Sequence, residues 1–147
     1  MNKKLIGFLL ILLFAILLIG CNGVPKTAQL KVSFEPNPAP YDYGIDGWPF
    51  TITVSEQNGV GVALTEFTFK TYNNNNQLIS TDVFGTDIFI NEWFDTDYLS
   101  AFSSLEHDMY RNNNMSGISY AIITVDGVDD NNVPVTTEAR IDFLPFL

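Results

Sequence analysis

The sequence has little cysteine, little histidine and few basic residues, and each shortage excludes some stabilising features or functions. Its 147 residues include one cysteine, one histidine and seven lysines and arginines, against seventeen acidic residues. A single cysteine excludes a disulfide within the chain, so the fold must be stable without that cross-link. The formal net charge of −10 argues against nucleic acid as a partner, because phosphates are bound by clustered Lys and Arg.

Motifs of common catalytic sites are also missing. The sequence contains no Gly-rich phosphate loop, no nucleophile elbow and no HExxH zinc motif. Its single histidine, His107, has no evident partner for acid–base catalysis. We therefore predict no catalytic residues and a protein that is not an enzyme.

The strongest pattern lies in the first 21 residues. Lys3 and Lys4 precede a run from Leu5 to Ile19 that is apolar throughout apart from Gly7. The hydrophobic part of a signal peptide has about 7–15 residues, whereas a membrane-spanning helix needs about 20. The run therefore favours a signal peptide, and the only cysteine follows directly in the sequence Leu18-Ile19-Gly20-Cys21.

This ending resembles the lipobox of bacterial lipoproteins. The resemblance implies that signal peptidase II cuts between Gly20 and Cys21, and that Cys21 carries a diacylglyceryl group with acyl chains such as palmitate. Two or more chains hold a protein stably on a membrane. The implied location is the extracytoplasmic side of the cell envelope, and the outer membrane if the cell has two, since Asn22 replaces the aspartate of inner-membrane retention. An uncleaved anchor helix is the alternative.

The chain then divides into a signal peptide at 1–20, a lipidated cysteine with a short tether at 21–27, and one domain at 28–147. Without Lys3 and Lys4, five basic residues face seventeen acidic ones, a formal charge of −12. Anionic headgroups would repel such a surface, so the lipid would hold the domain at the membrane. A fully extended tether reaches only about 20 Å.

Apolar and polar side chains alternate along most of the domain. Period-two alternation predicts strands near 28–35, 48–55, 62–72, 118–125 and 135–143, joined by turns rich in Asn, Gly and Pro. We therefore predict an all-β fold, an antiparallel β-sandwich. Helical spacing of Tyr98, Phe102, Leu105 and Met109 predicts one short helix or 3₁₀ crossover near 97–109.

The pattern of strands resembles the immunoglobulin-like domains of bacterial surface and periplasmic lipoproteins. Tyr120, two residues before Ile122 in the penultimate strand, resembles the tyrosine corner of that fold. The cysteine pair of antibody domains is absent, and Trp48 falls earlier than their core tryptophan. A sandwich with another strand order is the alternative.

Two groups of residues are candidates for ligand binding. Trp93, Phe94 and Tyr98 lie in or beside predicted loops, where aromatic rings stack on sugars or anchor protein interfaces; packing in the core is the alternative. Asp126, Asp129 and Asp130 lie in or beside one hairpin turn, where carboxylates suit a weak Ca²⁺ site. Solvated turn acids are the alternative there.

The sequence thus predicts a membrane-anchored extracytoplasmic lipoprotein that acts as a non-catalytic interaction or structural module. Its expected partners are the membrane, through Cys21, and an unidentified cell-envelope protein or polysaccharide. A glycan-binding module that uses the loop aromatics is the alternative function.

Overall fold

The computed structural model describes residues 25–112 and 117–145, and these form two packed antiparallel sheets. In chain order the elements are β1 (Leu30–Glu35), β2 (Gly47–Glu56), β3 (Val62–Asn73), β4 (Leu78–Gly85), α1 (Thr86–Ile88), a π-helical turn (Phe89–Trp93), β5 (Tyr98–Leu99), β6 (Ser104–Asn112), β7 (Ile118–Asp129) and β8 (Pro134–Asp142). The predicted signal peptide, with its cleavage between Gly20 and Cys21, lies outside these residues. Within them, no helix has the length and apolar character needed to cross a membrane.

The smaller sheet has the strand order β1-β2-β6, and the larger has the order β4-β3-β7-β8. The two-residue strand β5 pairs with Val62 and Ala63, at the end of β3 that β4 does not reach. Every strand-to-strand pairing within the sheets is antiparallel. The predicted all-β, antiparallel sandwich is therefore confirmed.

Alternation along the strands supplies the core between the sheets. One inward row on β2 faces inward rows on β3 and β7, namely Trp48, Phe50, Ile52 and Val54 against Phe67, Phe69, Ile123 and Val125. Every one of these side chains is buried. Because full burial of such a side chain contributes about 1.5–3 kcal/mol, these facing rows contribute strongly to the stability of the domain.

The helix predicted at 97–109 is wrong. Residues 104–112 form β6, which pairs with β2 so that Leu105 lies opposite Val54 and Met109 opposite Phe50. The spacing of four residues between Leu105 and Met109 fits a helix face, but being even it also fits one face of a strand. The helical residues lie earlier, at 86–93.

Tyr120 does not form the predicted tyrosine corner. In the corner, the hydroxyl bonds to backbone a few residues upstream. Here the ring stacks on Tyr72 at 4.9 Å, and the hydroxyl donates to Asn76 Oδ1 at 3.2 Å in the β3–β4 hairpin. Arg140 covers the ring at 3.8 Å, so this outward-facing tyrosine is buried by its neighbours on the same sheet.

The strands run between two ends of the sandwich. We call the end at which the described chain begins the proximal end; it carries residues 25–29, 57–61, 100–103 and 130–133. The opposite, distal end carries residues 36–46, 73–77 and 143–145. The ten residues of β2 span the distance between them, which is roughly 30 Å at about 3.3 Å per residue. A ligand or surface at one end is therefore remote from the other.

Candidate functional site

Trp93 and Phe94 belong to a cluster of rings that closes one side of the sandwich. The ring centroid of Trp93 lies 4.9 Å from Phe84 on β4 and 5.7 Å from His107 on β6, so it bridges the two sheets. Both Trp93 and Phe94 also pack against Phe67, at 5.4 and 6.0 Å. Consecutive residues can share one ring partner here because they end a helical turn rather than lie in a strand. These contacts match the alternative of core packing.

Tyr98 does not belong to the ring cluster of Trp93 and Phe94. Its side chain is 41% exposed at the proximal end. The hydroxyl donates to the carboxylate of Asp130 at 3.0 and 3.1 Å. This hydrogen bond, together with desolvation, raises the pKa of the Tyr98 hydroxyl above its ordinary value. The three aromatic residues singled out by sequence therefore do not form one exposed platform.

Asp126, Asp129 and Asp130 do not converge on a common point. Asp126 lies one residue beyond the inward-facing Val125 and so occupies the outer face of β7. Asp129 is 3% exposed, and its oxygens accept three backbone N–H groups; Asp130 accepts the Tyr98 hydroxyl. Across residues 25–112 and 117–145, no three His, Cys, Asp or Glu side chains are grouped to hold a metal ion. Asp129 and Asp130 thus organise the hairpin turn.

A second buried carboxylate, Glu56, lies at the same end. It is 2% exposed, and its two oxygens accept hydrogen bonds from five backbone N–H groups, those of Gln29, Asn58, Gly59, Val60 and Phe102, at 2.7–3.2 Å. Burial alone would raise its pKa, but the backbone donors outweigh burial and bring the pKa from 4.5 down to about 2. Glu56 is therefore charged and ties together three separate segments.

The two buried carboxylates fix the start of the domain. Asp129 accepts the N–H of Ala28, and Glu56 accepts that of Gln29. Side-chain amides of the same turns complete the clamp: Asn58 donates to the carbonyl of Thr27 at 2.7 Å, and Asn131 donates to that of Lys26 at 2.9 Å. The chain thus enters the domain at a rigid position on the proximal end. Burial also raises the pKa of Asp129, but its hydrogen bonds prevail and lower it overall.

A groove of about 390 Å³ opens toward the distal end, on the outer side of the smaller sheet. Glu35, Pro36, Pro40, Pro49, Phe50, Thr51, Asp108 and Met109 line it. The groove contains two carboxylates, those of Glu35 and Asp108. The Thr51 hydroxyl donates to Asp108 Oδ1 at 2.7 Å and so holds that carboxylate in place. Sequence reasoning missed this groove because its residues come from β1, β2, β6 and the loop after β1.

Exposed tyrosines lie at the same end of the molecule. Tyr43 is 69% exposed and packs edge-on against Tyr41 at 5.0 Å, which in turn packs against the buried Trp48 at 5.1 Å. Tyr110, opposite Pro49 in the sheet, is 61% exposed. Aromatic faces beside carboxylates are the materials with which proteins hold sugars or peptide side chains. The distal end is therefore the candidate ligand site.

Comparison with known proteins supports the fold and goes no further. No protein-family model matches the chain, and no curated protein matches it. The X-ray structure of Northeast Structural Genomics Consortium target SoR45 is 12% identical, with a TM-score of 0.51, over 85% of this chain and 95% of that one. A putative ApaA protein from Bordetella pertussis is 14% identical, with a TM-score of 0.47, over 80% of this chain and 96% of that one.

Proposed function

We propose that this protein is a lipid-anchored, extracytoplasmic lipoprotein whose β-sandwich acts as a non-catalytic interaction or structural module. The observation that carries the proposal is the sequence Leu18-Ile19-Gly20-Cys21 at the end of the apolar run. The structure is compatible with it, since residues 25–27 are exposed and a chain arriving from Cys21 meets the domain at its surface. Acyl chains on Cys21 would hold the acidic domain at the membrane despite its charge.

We further propose that the sandwich is immunoglobulin-like. In that fold the first, second, fourth and fifth strands share one sheet, and the third, sixth and seventh share the other. The orders β1-β2-β6 and β3-β7-β8 follow this scheme, apart from the fourth strand, which the described residues of the smaller sheet do not include, if β4 is the additional strand that variable-type domains place beside the third. This strand order supports the assignment, whereas the Tyr120 contact does not contribute to it.

Cys21→Ser is expected to abolish acylation and processing by signal peptidase II. The thiol is the acceptor of the diacylglyceryl group, and a serine hydroxyl does not replace it. In cells, the variant should accumulate as the uncut chain, with the signal peptide still attached and no added lipid. Treatment of the wild type with globomycin should likewise make a chain that keeps its signal peptide accumulate. Mass spectrometry and detergent phase partitioning provide the measurements.

Gly20→Ala is the matched control, because alanine also fits the residue before the lipobox cysteine. It should be processed and acylated like the wild type. Normal processing and membrane fractionation of Cys21→Ser would show that the lipoprotein proposal is wrong.

A glycan-binding module is the second candidate, and the exposed tyrosines beside the distal groove favour it. Tyr43→Ala would then weaken binding to any glycan found on an array by about tenfold, which corresponds to about 1.4 kcal/mol for one stacking contact. Tyr98→Ala removes an exposed tyrosine at the opposite end and should leave binding unchanged. Equal losses in both variants would show that Tyr43 is not the specific contact, whereas no binding to any glycan would favour a protein partner instead.

A further inference from the structure

Phe102 is the most exposed large apolar side chain in the described residues, at 71%. Its φ of +55° lies in the left-handed region, which bulky residues rarely adopt. The backbone is held there because the Phe102 N–H donates to Glu56 Oε2 at 3.1 Å. One side of the ring lies over Gly59, where an added Cβ would come within 2.5 Å of it. The loop therefore holds an aromatic ring outward in an unusual backbone conformation.

The same carboxylate connects this ring to the start of the domain. Glu56 accepts N–H groups from both Phe102 and Gln29, so the loop and the first described segment share one rigid support. Exposed Lys26 and Thr27 lie beside it and are bonded through their carbonyls to Asn131 and Asn58. Phe102 and the N-terminal entry are thus neighbours at the proximal end.

The length of the preceding chain limits how far this end lies from an anchor on Cys21. Pro25 follows Cys21 by four residues, which span at most about 14 Å when fully extended. With acyl chains of Cys21 in a bilayer, the proximal end would be held against the headgroups. The distal end, roughly 30 Å away along β2, would point outward.

We propose that Phe102 inserts into the interfacial layer of the bilayer and fixes the orientation of the domain on it. This inference rests on the proposed acylation of Cys21. Aromatic side chains favour the membrane interface, where the ring leaves water without being stripped of all polar neighbours. The acidic domain requires uncharged headgroups for this contact, since anionic lipids would repel it. The exposed tyrosines and the groove would then be presented to partners.

The test uses the mature, acylated protein in phosphatidylcholine vesicles that contain a brominated phosphatidylcholine quencher. The added tryptophan of Phe102→Trp should emit at shorter wavelength on the vesicles than in detergent-free buffer. The brominated lipid should quench this emission. The two native tryptophans also emit, but Trp48 is 1% exposed and Trp93 is packed against rings of both sheets, so the lipid quencher should reach neither, and the wild type gives the unquenched baseline. Tyr43→Trp, at the distal end, is the matched control and should be unquenched.

Ala101→Trp, at an exposed neighbouring position, carries the same test if Phe102→Trp does not fold, and it should also be quenched. Lack of quenching in the folded loop variants, or equal quenching of Tyr43→Trp, would overturn the proposed contact. Mass spectrometry of the same samples separates this failure from that of the lipoprotein proposal. Acylated Cys21 without quenching removes only the Phe102 contact, whereas unacylated protein removes both.

Discussion

Glu56→Gln is expected to lower the free energy of unfolding by about 3 kcal/mol at neutral pH. Hydrogen bonds to a charged acceptor contribute about 1.5–3 kcal/mol each to stability, and the substitution both removes the charge and turns an amide NH₂ toward backbone donors. Five N–H groups from three segments lose part of their acceptor. Urea unfolding followed by tryptophan fluorescence measures the change.

Glu92→Gln is the control for the charge itself, because Glu92 is exposed in the π-helical turn. It should change stability by no more than about 0.5 kcal/mol. A loss at Glu56 as small as that at Glu92 would show that the five hydrogen bonds contribute little.

The same carboxylate predicts a dependence of stability on pH. Its pKa is about 2 in the folded protein against 4.5 as the ordinary value, so the folded state holds the proton less tightly than the unfolded state. The resulting stability, about 3 kcal/mol at about 1.4 kcal/mol per pH unit, is present above pH 4.5 and is lost as the pH falls toward 2. Asp129, whose pKa is also lowered, acts in the same direction. Glu56→Gln should therefore converge with the wild type in acid.

Trp93→Ala is expected to lower the free energy of unfolding by about 3 kcal/mol, as large-to-small substitutions of packed tryptophans do. The ring bridges Phe84 on one sheet and His107 on the other, and its removal leaves a cavity along that side of the sandwich. Trp93→Phe keeps a ring in place and should lose less. Calorimetry of both variants provides the measurement.

This prediction also decides between the two roles considered for Trp93. A ring that served only to stack on a ligand would leave stability within about 0.5 kcal/mol of the wild type when truncated. Phe102→Ala, at an exposed ring without such packing, should show that small effect. If Trp93→Ala also does, the packing role is wrong and ligand binding is favoured.

The clearest strands were predicted because they alternate over many residues. The 62–72 prediction differs from β3 at one end residue, and the final hairpin was placed correctly, although its turn at 130–133 is tighter than the predicted one. β6 was missed because Leu105 and Met109 fit both helical and strand periods. Only pairing with β2, whose residues lie about 50 to 65 positions earlier in the chain, distinguishes the two. Such pairing is not contained in local spacing.

The buried carboxylates show where local spacing was informative but incompletely used. Glu56 continues the inward row of Phe50, Ile52 and Val54, and Asp129 continues that of Val125. Extending the period by one step from Val54, and by two steps from Val125, therefore places each acid on the buried face. What spacing does not reveal is the set of N–H donors, since those come from turns that approach only in the folded chain.

The sequence by itself supplied the proposed location of the protein, anchored outside the cytoplasm, and the class of its fold. A lipobox is a contiguous motif read from an extended chain, and an alternating pattern follows from the two faces of a strand. The tertiary structure alone decided which rings are buried, which acids hold the turns, and which residues line the distal groove. Burial, hydrogen bonding and the lining of a groove all require side chains from distant strands to lie within a few ångströms of one another. Only the folded chain brings those side chains together.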